Sequence, residues 1–178
     1  MDLTFSDATE ADGEAVAALR AGAASSLTAR FGPGPWSPPA RVAALRLGTV
    51  PGRSCVRVGR RDGTVVSALR LQTKKPWAID VMRFSSAVRP LYLTDMVVDP
   101  AHQRLGLGRA ALDDAVGMAM AWPADAIRLD AWDAAAGAGL FYERCGYAER
   151  GRVVYRGTPL IYYEKVLSRV VLERRGGC

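Results

Sequence analysis

Apolar residues along the chain alternate between helix-like and strand-like spacing. A short strand is predicted at residues 3–5, followed by an alanine-rich helix over residues 7–31 with a capping-type start. The helix is expected to end at GPGPWSPPA, residues 32–40, because its prolines and glycines do not fit a regular element. Residues 40–50 then predict a second short helix.

The pattern in the rest of the chain predicts mainly strands. SCVRVGRRDGTVVSALRLQTK predicts a hairpin, because Asp-Gly favours the positive φ angles of a tight turn. The further elements expected are a strand at 91–98, a helix at about 108–122, a strand at 127–132, a short helix within 134–147, a hairpin at 152–167 and a frayed tail at 168–178. This order predicts a mixed α/β (α+β) fold, with about four helices and a mostly antiparallel sheet of about seven strands.

Composition limits the class of protein. With 178 residues, 49% hydrophobic and 24% charged, the chain is expected to form one soluble domain over residues 1–178. It has three cysteines and one histidine, so neither a zinc site of Cys and His nor a disulfide framework is expected, and no metal is expected. An odd cysteine count is typical of a reducing compartment.

Net charge and hydropathy limit the kinds of partner that the protein is expected to bind. The charge of +6 favours anionic ligands, but the basic residues occur in short scattered pairs, so no nucleic-acid surface is expected. No apolar run approaches the ~18 residues that a membrane span needs, and the acidic start resembles no signal peptide. The expected location is therefore cytoplasmic, without a membrane partner, and the protein is expected to be a monomer or a homodimer.

The most informative stretch is DMVVDPAHQRLGLGRAAL, residues 95–112. A strand runs into an Asp-Pro turn, and two glycines precede a helix. Gly106 and Gly108 would let backbone N–H groups approach a phosphate at the helix N-terminus, where the helix dipole also favours an anion. Arg104 and Arg109 could add charge-assisted hydrogen bonds.

Gly106–Ala111 also satisfies the dinucleotide fingerprint G-x-G-x-x-A, and Asp130 follows Gly108 by 22 residues. Two features count against an NAD(P)-binding oxidoreductase. The six residues 99–104 separate the strand from the glycines, and only 48 residues follow Asp130, which is too few for the further βα units.

Gln103–Gly108 matches the pattern Q/R-x-x-G-x-G/A, and this stretch resembles the acetyl-CoA signature of the GNAT superfamily of N-acetyltransferases. MVVDP resembles that family's fourth strand. RLDAWDAAAGAGLFYERCGY resembles its fifth strand and the helix that follows, with Tyr142 and Gly146-Tyr147 meeting the pattern Tyr-x-x-x-Gly-Phe/Tyr. The resemblance covers roughly residues 91–147.

The resemblance implies a GNAT fold that is splayed between its fourth and fifth strands, where the pantetheine arm of acetyl-CoA adds like an extra strand. The implied reaction is direct attack of a primary amine, on a small molecule or as an exposed amino group, on the acetyl thioester. The residues implied to bind acetyl-CoA are Met96, Val97 and Val98 through their main chain, then Gln103, Arg104, Leu105, Gly106, Leu107, Gly108, Arg109 and Tyr142.

The resemblance also implies catalytic roles. Tyr142 matches the general acid that protonates the leaving thiolate. The base would be Asp95 or Asp130, acting directly or through water, with Asp133 and Glu164 as further candidates. For each carboxylate a structural role remains open, and Asp95 could instead hold a cationic acceptor.

Further expectations concern residues outside the motif. His102 is expected to be a solvated loop residue. Relatives often carry Asn after the fifth strand, whereas this chain has Asp133-Ala134-Ala135-Ala136-Gly137, so the contact to pantetheine would be made there by the backbone, by Asp133, or not at all. The acceptor walls would be the first two helices, the 32–40 loop, the 74–84 segment and the last hairpin, with Trp36 and Trp77 either lining the pocket or packing. A non-catalytic acyl-CoA-binding module remains the main alternative.

Overall fold

The computed structural model describes residues 2–37, 47 and 49–167. The strands are β1 (Leu3–Asp7), β2 (Ser54–Arg61), β3 (Thr64–Gln72), β4 (Pro90–Val98), β5 (Ala126–Trp132), β6 (Ala148–Tyr155) and β7 (Thr158–Val166). The α-helices are α1 (Gly13–Phe31), α2 (Leu107–Ala121) and α3 (Gly139–Arg144).

The predicted order of elements and the mixed α/β class are confirmed. Seven strands form one sheet in the order β1-β2-β3-β4-β5-β7-β6, and only β4 and β5 pair in parallel. Three of the about four predicted helices lie in the described residues. The predicted helix at 40–50 falls largely on residues outside the described ranges, as does the predicted frayed tail at 168–178.

The sheet opens between its two parallel strands. Pairing between β4 and β5 is confined to Pro90, Leu91 and Tyr92 with their three partners on β5. Beyond Tyr92, β4 remains paired with β3, whereas β5 remains paired with β7 as far as Trp132. The predicted splay is therefore present, and we call the space between the two diverging strands the gap.

An irregularity in β4 faces this gap. Asp95 has φ of 58°, and the pairing with β3 shifts so that Asp95 and Met96 together stand opposite Leu69. This is the pattern of a β-bulge, which breaks the alternation of side chains and re-aims the bulged residue. Aspartate tolerates the left-handed conformation better than most residues.

The two faces of the sheet are covered by different elements. Helices α2 and α3 cover one face over the main core, which includes Leu69, Leu71, Leu93, Leu112, Ile127 and Leu129. On the other face, α1 packs through Val16 and Leu19 on β2 and β3. The 74–89 segment covers β4 and β7 on that same face, through Ile79 and Phe84. The gap is thus flanked by α2 and α3 on one side and by α1 on the other.

Candidate active site

The N-terminus of α2 is open. Gly106 occupies the cap position in the left-handed conformation, with φ of 81°, and no described side chain caps the first turn. The first amides of a helix have no partner within the helix, and the helix dipole adds partial positive charge there. A 3-10 turn at Pro100–His102 leads the chain from β4 to this point. The arrangement suits an anion such as a pyrophosphate.

Gly108 has a second role that the sequence did not indicate. A Cβ at this position would lie 3.0 Å from the Phe141 ring, so the glycine allows α2 and α3 to pack closely. By contrast, a Cβ on Gly106 would meet no atom within 4 Å, and there the constraint is the positive φ. The two glycines of the motif are therefore required for different reasons.

The polar side chains of the motif are placed differently from one another. Gln103 donates to the Val98 carbonyl at 3.4 Å, tying the loop back to β4. Arg109 donates to the Arg144 carbonyl and so links α2 to α3. Arg104 is exposed, with φ of 63°. Both arginines are exposed, and Arg109 is the one held at a backbone carbonyl.

The predicted main-chain contacts lie along the gap. Met96 packs with the core under α2, and Val97 packs with the cluster under α1. Val98 is half-buried opposite Ser67. Within the described chain, this stretch of β4 has no strand partner on its β5 side. Its free backbone groups on that side could take an added strand.

Leu105 and Leu107 flank Gly106 and point to different environments. Leu105 is exposed, whereas Leu107 is buried at the start of α2. A buried Leu107 anchors the first turn, so the open amides keep a fixed position relative to β4.

Tyr142 lies beside the gap on the α2 and α3 face. Its residue surface is only 7% exposed, and its hydroxyl lies 3.8 Å from Met96 Sδ across to β4. Burial, followed by the negative charge of Asp130, raises the pKa of Tyr142 well above its usual value of 10. The phenol is therefore protonated at neutral pH and can donate to a developing thiolate.

Tyr147 packs edge-on against Tyr142, with ring centroids 5.8 Å apart. Its hydroxyl is buried and has no hydrogen-bond partner among the described residues. Tyr147 therefore belongs to the same aromatic cluster as Tyr142, with Lys165 Nζ 5.5 Å from its ring centroid.

Tyr147→Phe is expected to raise the free energy of unfolding by about 1 kcal/mol, because it removes a buried hydroxyl that makes no hydrogen bond. Urea or thermal unfolding of the two proteins measures the difference. A loss of stability would show that the hydroxyl is satisfied in solution, for example by a buried water.

Asp130 lies on β5, where the two strands have diverged. Ile127 and Leu129 point into the core under α2, while Arg128 lies against Phe84 on the opposite face, so alternation places Asp130 on the α1 side. Burial raises the pKa of Asp130 above 3.8, against a smaller opposing effect from its own amide. No cationic side chain in the described chain forms an ion pair with it.

Asp95 has a different environment. Its Oδ2 lies 3.6 Å from an Arg20 nitrogen and 3.4 Å from Arg70 Nε, and the side chain is 41% exposed. Arg20 also donates to the Asp95 carbonyl at 3.4 Å. The structure therefore places both predicted base candidates beside the gap but gives only Asp95 cationic partners.

The two further carboxylate candidates have ion-pair partners elsewhere. Asp133 is bonded to Arg152 at 2.9 Å. Glu164, whose side chain is fully buried, pairs with Arg128 at 2.9 Å and Arg150 at 2.8 Å. Burial alone would raise the pKa of Glu164, but the bonds from Arg128 and from Ser85 outweigh it and hold the pKa below 4.5. Both carboxylates have clear structural roles.

His102 lies in the turn before the motif and is half-exposed, with Nδ1 3.0 Å from Asp99 Oδ2. Asp99 also accepts from the Ala101 amide, which is the largest cause of its lowered pKa. His102 thus fits a turn residue that is bonded locally.

The tryptophans differ in burial. Trp36 stacks edge-on against Trp132 at 4.9 Å and donates to Thr28 at 3.0 Å, which brings the loop after α1 to the end of β5. Trp77 is 83% exposed. Trp36 therefore lies at the gap end of β5, whereas most of the Trp77 surface is open to solvent.

Sequence reasoning missed three contacts at the site: those of Arg20 and Arg70 with Asp95, and the close approach of Phe141 to Gly108. Arg20 looks like an ordinary helix-surface residue, and Arg70 like an outward strand residue. Only the tertiary approach of α1 to β4, and the bulge at Asp95, bring these arginines together. Phe141 could have been suspected, because a second glycine inside a helix often marks a close packing partner.

None of the helices in the described ranges has both the length and the apolar character of a membrane span. In the same ranges, no three His, Cys, Asp or Glu residues cluster in a way that could hold a metal ion.

Solved structures share this fold at low sequence identity. The ribosomal-protein-S18-alanine N-acetyltransferase from Escherichia coli is 17% identical, over 97% of this chain and 98% of its own, with a TM-score of 0.64. Nourseothricin acetyltransferase is 19% identical over 94% and 100%, also with a TM-score of 0.64. The Salmonella typhimurium protein yncA, solved with its cofactor acetyl-CoA, is 17% identical over 95% and 96%, with a TM-score of 0.60.

The family follows from the sequence match. The acetyltransferase (GNAT) family matches residues 23–147, which include the gap, the motif and Tyr142. The chain belongs to the acetyltransferase (GNAT) family. No curated protein matches it in sequence.

Proposed function

We propose that the protein transfers the acetyl group of acetyl-CoA to a primary amine. One observation supports this most strongly: the open N-terminus of α2 continues into the gap, and Tyr142 and Asp130 flank that gap from opposite faces of the sheet. Family membership supports acetyl transfer, and the neighbour yncA was solved with acetyl-CoA.

On the donor side, the loop 103–109 is proposed to hold the pyrophosphate through its backbone amides, with Arg104 adding charge. The main chain of Met96, Val97 and Val98 would hold the pantetheine arm and place a backbone N–H near the thioester oxygen. That oxygen gains negative charge during attack, and an amide oriented in advance stabilises it.

On the acceptor side, Asp130 is the proposed base. It has no cationic partner in the described chain, and its raised pKa brings it closer to that of an amine, which favours proton transfer. The neutral amine attacks the thioester carbon, a C–N bond forms and the C–S bond breaks. Asp130 receives the amine proton, directly or through water, and Tyr142 donates a proton to the sulfur.

Tyr142→Phe is expected to lower kcat by about 10²-fold, the lower end of the range for general acid catalysis, with little change in affinity for CoA. Tyr147→Phe is the matched control, because it removes a buried hydroxyl from the same aromatic cluster. Steady-state rates and CoA titrations on both variants measure the effects. Equal kcat in both variants and in the wild type would assign Tyr142 to packing.

The donor is tested by direct binding. Titration with CoA and, separately, with NADH should give saturable binding of CoA only, because the residues before the glycines do not suit a dinucleotide. Binding of NADH in preference to CoA would overturn the donor assignment. Binding of CoA without thiol release from acetyl-CoA by any amine would favour the non-catalytic alternative.

A further inference from the structure

Two tryptophan side chains meet at the end of β5, on the α1 side of the gap. The ring centroids of Trp36 and Trp132 lie 4.9 Å apart with their planes at 69°, an edge-to-face arrangement. Alternation along β5 places Trp132 on the same face of the sheet as Asp130, because Ala131 between them belongs to the main core on the other face. The aromatic pair and the proposed base therefore share one side of one strand.

Packing around the pair restricts both residues. The Trp36 indole N–H donates to the Thr28 hydroxyl at 3.0 Å. A Cβ on Gly34 would come within 2.6 Å of the Trp36 ring, so this glycine lets the backbone close against that ring. The turn after β5 is equally tight, since a Cβ on Gly137 would lie 1.9 Å from the Trp132 carbonyl oxygen. The pair is thus largely preorganised, which lowers the entropy cost of binding a ligand.

Helix α1 and the aromatic pair together bridge the gap. Arg20 on α1 donates to the Asp95 carbonyl of β4 at 3.4 Å. From Arg20 to Thr28 the helix rises by about 12 Å. Thr28 then holds Trp36, whose ring contacts the end of β5. The space beside Asp130 is therefore bounded at one end by the two indole rings.

The two rings keep part of their surface open. Trp36 and Trp132 are both half-buried. Trp122 is also half-buried, but it follows α2 and packs against the main core. An open aromatic surface beside a carboxylate suits a ligand with an amine at one end and an aromatic ring at the other. Such a ring leaves water on binding and can make further edge-to-face contacts.

We propose that Trp36 and Trp132 form an aromatic wall of the acceptor site, and that the substrate is a primary amine joined by a short alkyl linker to an aromatic ring. Asp130 and Trp132 are two residues apart on one face of a strand, so their Cα atoms lie about 7 Å apart. A linker of about one to three methylene groups covers this distance. The inference rests on the proposed function, because Asp130 must receive the amine.

The test compares benzylamine, phenethylamine and phenylpropylamine with the amino alcohols ethanolamine, aminopropanol and aminobutanol. Rates are expressed per unprotonated amine, so that differences in amine pKa do not enter. Wild-type kcat/KM should be at least about tenfold higher for the best aromatic amine than for any of the amino alcohols, because its ring leaves water and contacts two indoles.

Trp36→Leu should remove most of this preference by raising KM for the aromatic amines about tenfold, with kcat and the rates for amino alcohols unchanged. Trp132→Leu should do the same from the other side of the pair, and Trp36→Phe, which retains a ring, should keep part of the preference. Trp122→Leu is the matched control, because Trp122 precedes β5 whereas Trp132 ends it. The control should keep the full preference, and thermal unfolding of each variant shows that it is folded.

Equal kcat/KM for aromatic amines and amino alcohols in the wild type, or a preference that both leucine variants of the pair retain, would overturn the aromatic wall and leave the proposed function intact. Thiol release with none of the amines would instead count against the proposed function. In that case, calorimetric titration of the CoA complex with the same amines still tests the wall. Tighter binding of the aromatic amines that Trp36→Leu weakens would support it, and binding that does not distinguish the two classes would overturn it.

Discussion

Asp130→Asn is expected to lower kcat by a factor of about 10²–10⁴, the usual contribution of a positioned general base. The asparagine has nearly the same shape but cannot accept the amine proton. Affinity for CoA should be unchanged, because the residue lies on the acceptor side. Steady-state kinetics at saturating acetyl-CoA, with a CoA titration alongside, measure both quantities.

The pH dependence of kcat provides a second test of Asp130 as the general base. Since burial raises the pKa of Asp130 above 3.8, wild-type kcat should fall with decreasing pH as that carboxyl protonates. The fall should be absent in Asp130→Asn. Asp133→Asn is the matched control, because Asp133 is a nearby carboxylate bonded to Arg152. A large kcat loss in the control, or none in Asp130→Asn, would contradict the assignment.

The same change should increase stability at neutral pH. A carboxyl with a raised folded-state pKa costs folding free energy once it ionises, and this cost is absent below its unfolded-state pKa. Stability attributable to Asp130 therefore falls as pH rises through the two values. The asparagine variant avoids this cost, so loss of activity should accompany a higher Tm, as is common at functional sites.

Glu164→Gln is expected to lower the free energy of unfolding by about 3–5 kcal/mol, the usual cost of breaking a buried ion pair by removing one partner. The fully buried Glu164 carboxylate bonds to Arg128, whose side chain is only 4% exposed. It also accepts from the Ser85 amide at 3.2 Å and the Ser85 hydroxyl at 3.0 Å. The substitution leaves a buried guanidinium without its counter-charge and loosens the 74–89 segment.

The stability contributed by Glu164 depends on pH in the opposite direction to that contributed by Asp130. The pKa of Glu164 is lowered below 4.5, so its contribution is fully present above the unfolded-state pKa and is lost as pH falls through the folded-state value. Urea unfolding from neutral to acidic pH should show the wild type approaching the variant. Glu149→Gln removes an exposed carboxylate paired with Arg152 and should cost under about 1 kcal/mol. Similar losses in both variants would contradict the buried-pair account.

Most of the strands and helices could be predicted from the sequence, because their positions depend on local signals. Apolar runs, the Asp62-Gly63 turn and Pro123 after α2 each act within a few residues. The splay was accessible only through the resemblance, since nothing in the local pattern says where two parallel strands separate. The bulge at Asp95 was not predicted, because it depends on pairing with β3.

In the candidate site, too, some features could be predicted from the sequence and others depend on tertiary packing. Open amides at Gly106 follow from glycines before a helix, and the sequence could indicate them. Which carboxylate has a cationic partner could not be read from the sequence, because Arg20 and Arg70 reach Asp95 only through tertiary packing. The sequence left Glu164 among the candidate bases because its partners Arg128 and Ser85 lie 36 and 79 residues away along the chain, so the buried ion pair could not be foreseen.

The most direct test of acetyl transfer is to measure both products in one mixture. The protein is incubated with acetyl-CoA and the amine panel, free thiol is followed by absorbance, and the acceptors are examined by mass spectrometry. We expect one acetamide to form for each thiol released with at least one amine, and a lower rate for Asp130→Asn. Tight binding of CoA without thiol or acetamide from any amine in the panel would contradict it.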